Sequence, residues 1–183
     1  MIFDGSVGNS PEHFVYTVRT LERLGVSAIV IGDKISFATK PNQKGTDIQV
    51  KVEDLCAKIS AGKNAQISDD FMIFARCQNL NSDNGVDQTI DCCKAYLSSG
   101  ADGIMIQSDD VEAKDIMYFA AIYREFCLGR PLIVALPSFD NITEKELLKA
   151  GVNVVIYANH MLRAAYPAML KVAKNILINE RFN

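Results

Sequence analysis

Ser99-Gly100-Ala101-Asp102-Gly103-Ile104-Met105-Ile106-Gln107 is the stretch on which the fold turns. Ahead of it Val86, Ile90, Cys93 and Leu97 recur at helical spacing, and within it 103–106 is a continuous apolar run too short for a helix. A glycine between the two accepts the left-handed backbone that ends a helix, and the next residues enter a strand covered on both faces. The same junction stands at Leu24-Gly25-Val26 and at Ala150-Gly151-Val152, so the repeated unit is helix, glycine, strand.

The rest of the chain repeats this alternation. Phe14, Val18 and Leu21, then Ile48, Val52, Leu55 and Ile59, then Ile116, Phe119 and Tyr123 predict three more amphipathic helices. Ser10 before Pro11 is an N-cap with proline at the first helical position, and Thr143-Glu144-Lys145-Glu146 is a capping box that opens a shorter helix. Apolar runs at 28–31, 71–75, 132–136 and 152–157 predict further parallel strands, with 1–3 as the end of a sixth. Strand and helix in alternation specify an α/β domain, and periodicity alone leaves a doubly wound open sheet and a (β/α)8 barrel both open. A complete barrel takes eight strands and about 250 residues. At 183 residues the chain, if a barrel, lacks units. No linker or low-complexity segment divides it, so one domain is expected over 1–183.

Composition narrows the function class. Nineteen Lys and Arg against 22 Asp and Glu give a net charge of −3 without long like-charge runs, which leaves no footprint for nucleic acid or an anionic membrane. The longest apolar stretches, such as 152–158, fall far short of the ~20 residues that span a bilayer, and no leader-like segment opens the sequence. A cytoplasmic protein with a small-molecule or protein partner is expected. Five cysteines, an odd set without a C-x-x-C pair, read as reduced thiols packed as small hydrophobes.

Candidate chemistry gathers where apolar runs end. The polar stretch 32–47 holds Asp33, Lys34, Lys40, Asn42, Gln43 and Lys44, a mixture suited to a phosphate or carboxylate and equally to a solvated loop. Arg76 ends the 71–75 run, so it emerges at a strand's C-terminal rim either as an anion fork or in a structural ion pair. Asp4, ahead of Gly5, is a carboxylate beside flexible backbone or an ordinary Asp-Gly turn. His160 follows the last apolar run as a base or a hydrogen-bonding strut. With His13 the only other histidine, any metal would be held by oxygens, which favours Mg²⁺. Asp4, Asp33, Arg76, Gln107 and Asn159 each follow an apolar run, so all are expected near the C-terminal edge of one sheet.

Val154-Val155-Ile156-Tyr157-Ala158-Asn159-His160-Met161-Leu162-Arg163-Ala164 closely resembles the "VIWANHNLRA" stretch of phosphoenolpyruvate mutases. Ile31-Gly32-Asp33-Lys34 with Lys40-Pro41-Asn42-Gln43, then Phe74-Ala75-Arg76-Cys77-Gln78, then Ile104-Met105-Ile106-Gln107-Ser108 follow in the order that the phosphoenolpyruvate mutase/isocitrate lyase superfamily has them. The resemblance implies a partial (β/α)8 TIM barrel whose first two βα units are absent. It also implies a phosphoenolpyruvate- or phosphonopyruvate-type 2-oxo acid held on Mg²⁺. Lys40 and Asn42 would then be catalytic, Arg76, Gln43 and Gln107 would join them in binding substrate, and Asp4 would serve the metal.

The departures from the family pattern cluster at the same place. Gly32 replaces a glutamate, Gln78 another, Gln107 a histidine, and only Asp4 remains of two carboxylates in the first turn. Two functions follow from this mixture: a Mg²⁺-dependent enzyme that rearranges or cleaves a P–C or C–C bond next to a carboxylate, or a catalytically degenerate relative that binds small anions or acts as a scaffold. An incomplete barrel leaves strand edges uncovered, so a marginal or oligomeric chain is expected. The family's exchange of C-terminal helices implies a homo-oligomer.

Overall fold

Chain order and spatial order coincide along the main sheet. The computed structural model describes residues 1–5, 10–37, 46–78, 80, 85–107, 114–127, 129–135 and 142–180. Its elements are β1 (Ile2–Asp4), α1 (Pro11–Arg23), β2 (Ala28–Gly32), β3 (Lys34–Phe37), β4 (Thr46–Gln49), α2 (Val52–Ala65), β5 (Met72–Cys77), α3 (Gly85–Ser98), β6 (Gly103–Gln107), α4 (Lys114–Phe126), β7 (Leu132–Ala135), α5 (Glu144–Ala150), β8 (Val154–Ile156) and α6 (His160–Asn179). Six strands pair in the order β1-β2-β5-β6-β7-β8, each pair parallel.

That order decides between the two architectures. A doubly wound sheet reverses its strand order at a switch point and carries helices on both faces. Here the order never reverses. Ile29, Ile31, Ile73, Ala75, Ile104 and Ile106 alternate onto one face and pack with Phe14, Leu55, Ile59 and Phe119 from the helices. The opposite face carries Ala28, Val30, Phe74, Met105, Ile133 and Ala135, a separate cluster made of strand residues alone. Helices on one face and a strand-only interior on the other make this a partial TIM barrel, as the resemblance implies.

Local chemistry sets the element ends. Gly25, Gly100 and Gly151 adopt φ of 73°, 107° and 96° after α1, α3 and α5, the left-handed turn expected of the repeated junction. The capping box forms as read: the Glu146 N–H donates to Thr143 Oγ1 at 3.3 Å and the Thr143 N–H donates to Glu146 Oε2 at 2.8 Å. Ser10 caps α1 through its carbonyl, which accepts from the Phe14 N–H at 3.0 Å, and not through its hydroxyl. Below the sheet Asp102 joins three elements, accepting from the Ile73 N–H at 2.7 Å and from Lys63 Nζ at 3.0 Å.

Two expectations change. Ile48 belongs to β4 and not to the second helix, because β3 and β4 form an antiparallel hairpin and the Val50 N–H is drawn to the Asp33 carbonyl at 2.8 Å before α2 begins. The last strand begins at Val154 and not at 152, since the Val152 N–H is spent on closing α5 against the Leu147 carbonyl. The twenty-residue α6 contains Pro167 and buries none of its residues.

Glycine has two distinct uses here. A Cβ at Gly103 would overlap the Pro131 carbonyl oxygen and the Phe74 ring, whereas one at Gly25 would meet open space and only the positive φ would resist it. Gly25→Ala should therefore cost about 1 kcal/mol of backbone strain, and Gly103→Ala a steric penalty of about 1–3 kcal/mol. Urea denaturation of both variants checks the ranking, and equal losses would contradict the close packing at Gly103.

Candidate functional site

The inner face of the half-barrel ends in polar residues. Alternation along each strand carries the interior set of Val30, Phe74, Met105 and Ala135 one step further to Arg76 on β5 and Gln107 on β6, and parallel register puts Asp4 on β1 beside Val30. These side chains meet at the C-terminal edge, where parallel α/β folds place ligands. They line a cavity of about 430 Å³, with Asn159 and Arg163 of the following segment as further polar walls. The strand-end rule thus places Asp4, Arg76, Gln107 and Asn159 correctly.

Arg76 is the central cation. Its Nη1 lies 3.2 Å from Asp4 Oδ2, and its side chain is only 15% exposed against 65% for Asp4. Gly32 stands opposite Arg76 in the β2–β5 register and offers no side chain to compete for the space. The buried Nε–H of Arg76 has no hydrogen-bond partner among the described residues, and a buried donor left unpaired costs about 1–3 kcal/mol. Asn159 holds a left-handed backbone, φ 60°, at the start of α6, and its carbonyl accepts from the Arg163 N–H at 2.8 Å. That turn brings a second guanidinium to the cavity wall.

Behind the rim, Gln78 Nε2 donates to Gln107 Oε1 at 3.1 Å. Two neutral amides therefore bond to one another where the family pattern has a glutamate and a histidine. Lys34 Nζ lies 3.4 Å from the Gln78 carbonyl and outside the cavity wall. His160 opens α6 with its ring edge-on to Tyr157 at 5.5 Å, likewise away from the cavity. Lys40, Asn42, Gln43 and Lys44 lie outside the described residues. Arg163 and Gln78 are candidates that residue-by-residue reading passed over: the first lines the cavity from α6, and the second bonds to Gln107 and stays out of the cavity wall.

The described residues do not fit Mg²⁺. The ion calls for several hard, charged oxygens, and the rim supplies one carboxylate, Asp4, already set against a guanidinium. No group of three His, Cys, Asp or Glu suited to a metal occurs among the described residues. The thiols offer no alternative: Cys77 and Cys93 are buried with their sulfurs 3.6 Å apart, and the hydrogen bond with Cys93, followed by burial, pushes Cys77 well above its ordinary range. Among the described residues no helix is long and apolar enough to cross a membrane.

Comparison with known proteins agrees with the geometry. The family profile described as phosphoenolpyruvate phosphomutase matches residues 2–177. A phosphonopyruvate hydrolase of Variovorax sp. (strain Pal2) is 31% identical over 164 residues, covering 88% of this chain and 55% of that protein. The crystal structure of a phosphoenolpyruvate phosphomutase from Streptomyces platensis subsp. rosaceus superposes with a TM-score of 0.85 at 28% identity, over 99% of this chain and 62% of that one. A phosphonopyruvate hydrolase in complex with oxalate and Mg²⁺ superposes at 0.79 and 30% identity, over 98% and 61%. The chain spans about half the length of the curated relatives it matches.

Asp33, at the head of β3, is buried and stays out of the cavity wall. Its N–H donates to the Arg76 carbonyl at 3.1 Å and its carbonyl receives the Val50 N–H, so it joins the hairpin to the main sheet. Burial pushes its carboxyl above the usual range, opposed by a hydrogen bond from the Gln49 side chain and by the charge of Lys34. The folded carboxyl thus holds its proton longer than the unfolded one, and its contribution to stability falls as pH rises through the interval between the two values. The non-ionising Asp33→Asn variant should gain on the parent from about pH 4 upward. Thermal melts across pH would show this as a converging or crossing pair of curves, and parallel curves would refute it.

Proposed function

This chain belongs to the phosphoenolpyruvate mutase/isocitrate lyase superfamily, and from that premise we propose that its rim binds a small 2-oxo acid or dicarboxylate of the phosphoenolpyruvate or phosphonopyruvate class without depending on Mg²⁺. The observation that carries this reading is the largely buried Arg76 side chain, which lines a cavity that also presents Arg163, Gln107 and Asn159. Arg76 forks onto a ligand carboxylate, Arg163 supplies charge to the other end, and the amides supply directional donors. Asp4 holds the guanidinium in place while the site is empty and gives it up in part to the incoming anion.

A second reading, Mg²⁺-dependent rearrangement or cleavage of a P–C or C–C bond, rests on the mutase-like Lys40, Asn42 and Gln43 and on the oxalate and Mg²⁺ held by a 30% identical structure. The rim chemistry favours the first, because a single carboxylate paired with arginine anchors the ion poorly.

Calorimetry with oxalate separates the two. Hydrogen bonds to a charged group are worth about 1.5–3 kcal/mol, so Arg76→Ala should weaken binding roughly 10- to 150-fold and omission of Mg²⁺ should change the parent little. Unchanged affinity in Arg76→Ala would overturn the site. Mg²⁺-dependent turnover of phosphonopyruvate at about 1–1,000 s⁻¹ would instead establish the second reading.

We also propose that two copies associate through α6. Helices in proteins draw most of their stability from packing an apolar face, yet α6 exposes Met161, Leu162, Tyr166, Met169, Leu177 and Ile178 and buries no residue. Apolar surface of this kind on a helix is covered by a second molecule. Sedimentation equilibrium should give twice the 20.2 kDa monomer mass, with the double variant Met169→Asp, Leu177→Asp dissociating it. A parent that sediments as a monomer would refute this assembly.

A further inference from the structure

The pair Gln78 and Gln107 determines which arm of an amide faces the cavity. Gln107 lines the cavity and Gln78 does not, yet the bond between them, from Gln78 Nε2 to Gln107 Oε1 at 3.1 Å, is part-buried and crosses from β6 to the residue that follows β5. A primary amide accepts on one arm and donates on the other. With its oxygen held by Gln78, Gln107 has its NH₂ arm left for a ligand. We propose that Gln78 is a positioning residue: by occupying the Gln107 oxygen it makes Gln107 a donor to the bound anion, and so sets the site's preference for an acceptor-rich ligand such as a carboxylate. This rests on the anion-binding reading of the same cavity.

Two glutamines can bond either way round, and the observed orientation is the one that suits an anion. The reverse orientation would turn the Gln107 oxygen toward Arg76 and any carboxylate held there, a repulsive contact for the ligand. Substituting the residue behind therefore has an effect that depends on what it can donate. A glutamate at position 78 accepts only, so it would draw the Gln107 NH₂ arm away from the cavity. Once protonated, the same glutamate can donate to the Gln107 oxygen and restore the original orientation. Neither natural side chain titrates, so oxalate binding by the parent should owe no pH dependence to this pair.

A double-mutant cycle with oxalate as the probe tests the idea. Gln78→Met should weaken binding about three- to tenfold in the parent background and have no further effect when Gln107 is already alanine, because positioning acts only through Gln107. Gln78→Glu should be weaker still at pH 8 and recover relative to the parent as pH falls through the carboxylate range, while the Gln78→Met deficit stays constant. Charge acting through space is read from Gln78→Glu in the Gln107→Ala background and subtracted. The proposal is overturned if Gln78→Met and Gln107→Ala are additive, or if Gln78→Glu shows no low-pH recovery beyond that background. Arg76→Ala distinguishes the two levels: if it abolishes binding while the Gln78 series is flat, only the positioning role fails, and if the parent does not bind oxalate both proposals fall.

Discussion

Everything in this molecule depends on six strands being wound in one direction. Winding in one sense puts α1 to α5 on one face, and the other face has only its own side chains to fill it. The lower part is filled by Ala28, Phe74, Met105 and Ile133. The upper edge cannot be closed that way, because alternation brings Asp4, Arg76 and Gln107 there. A polar rim above an apolar floor is the result. The same constraint leaves β1 and β8 as sheet edges, and Ile2, Met72 and Val154 partly exposed on the inner side.

Rigidity at the rim comes from backbone bonds and not from the side chains that meet the cavity. Asp33 fastens the hairpin to Arg76's own carbonyl, and burial raises the Asp33 carboxyl above its usual range. Arg76 is thereby fixed at the main chain while its guanidinium keeps an unpartnered Nε–H. A fixed backbone under an incompletely satisfied side chain is the arrangement a binding site needs: the donor is preorganised, and its desolvation has already been incurred in folding.

Much of the fold was legible in the sequence because it is written in local chemistry. Glycine at 25, 100 and 151 demands a backbone that few other residues tolerate, and continuous Ile/Val runs can only be strands covered on both faces. Ile48 was misread because its spacing from Val52 and Leu55 mimics a helical stripe, and the hairpin that claims it is held by the distant Asp33 carbonyl. The helix α6 was not read from the sequence, although Leu162, Met169, Val172 and Ile176 recur along one side of it. At the site, Arg76 and Gln107 were found by the strand-end rule. Asp33 obeys the same rule yet serves as a joint, since a strand end fixes position and burial decides role. Gln78 was recognised only as a departure from a family pattern, because a residue that works through its neighbour has no signature of its own.

The departures make electrostatic sense together and not one by one. A Mg²⁺ ion and the carboxylates that face it carry opposite charges, so losing them together changes the potential felt by a bound anion less than losing either alone. Gly32, Gln78 and Gln107 stand where the family pattern has two acids and a histidine, and each is uncharged at neutral pH, while Arg76 and Arg163 remain. What such a change loses is Lewis acidity, which serves charge that develops during a reaction. What it keeps is attraction for charge already present. The remaining acid, Asp4, lies within 3.2 Å of the arginine that needs a counter-charge when no anion is bound. A site that binds without catalysing keeps groups that act on the ground state and can dispense with those that act only in the transition state.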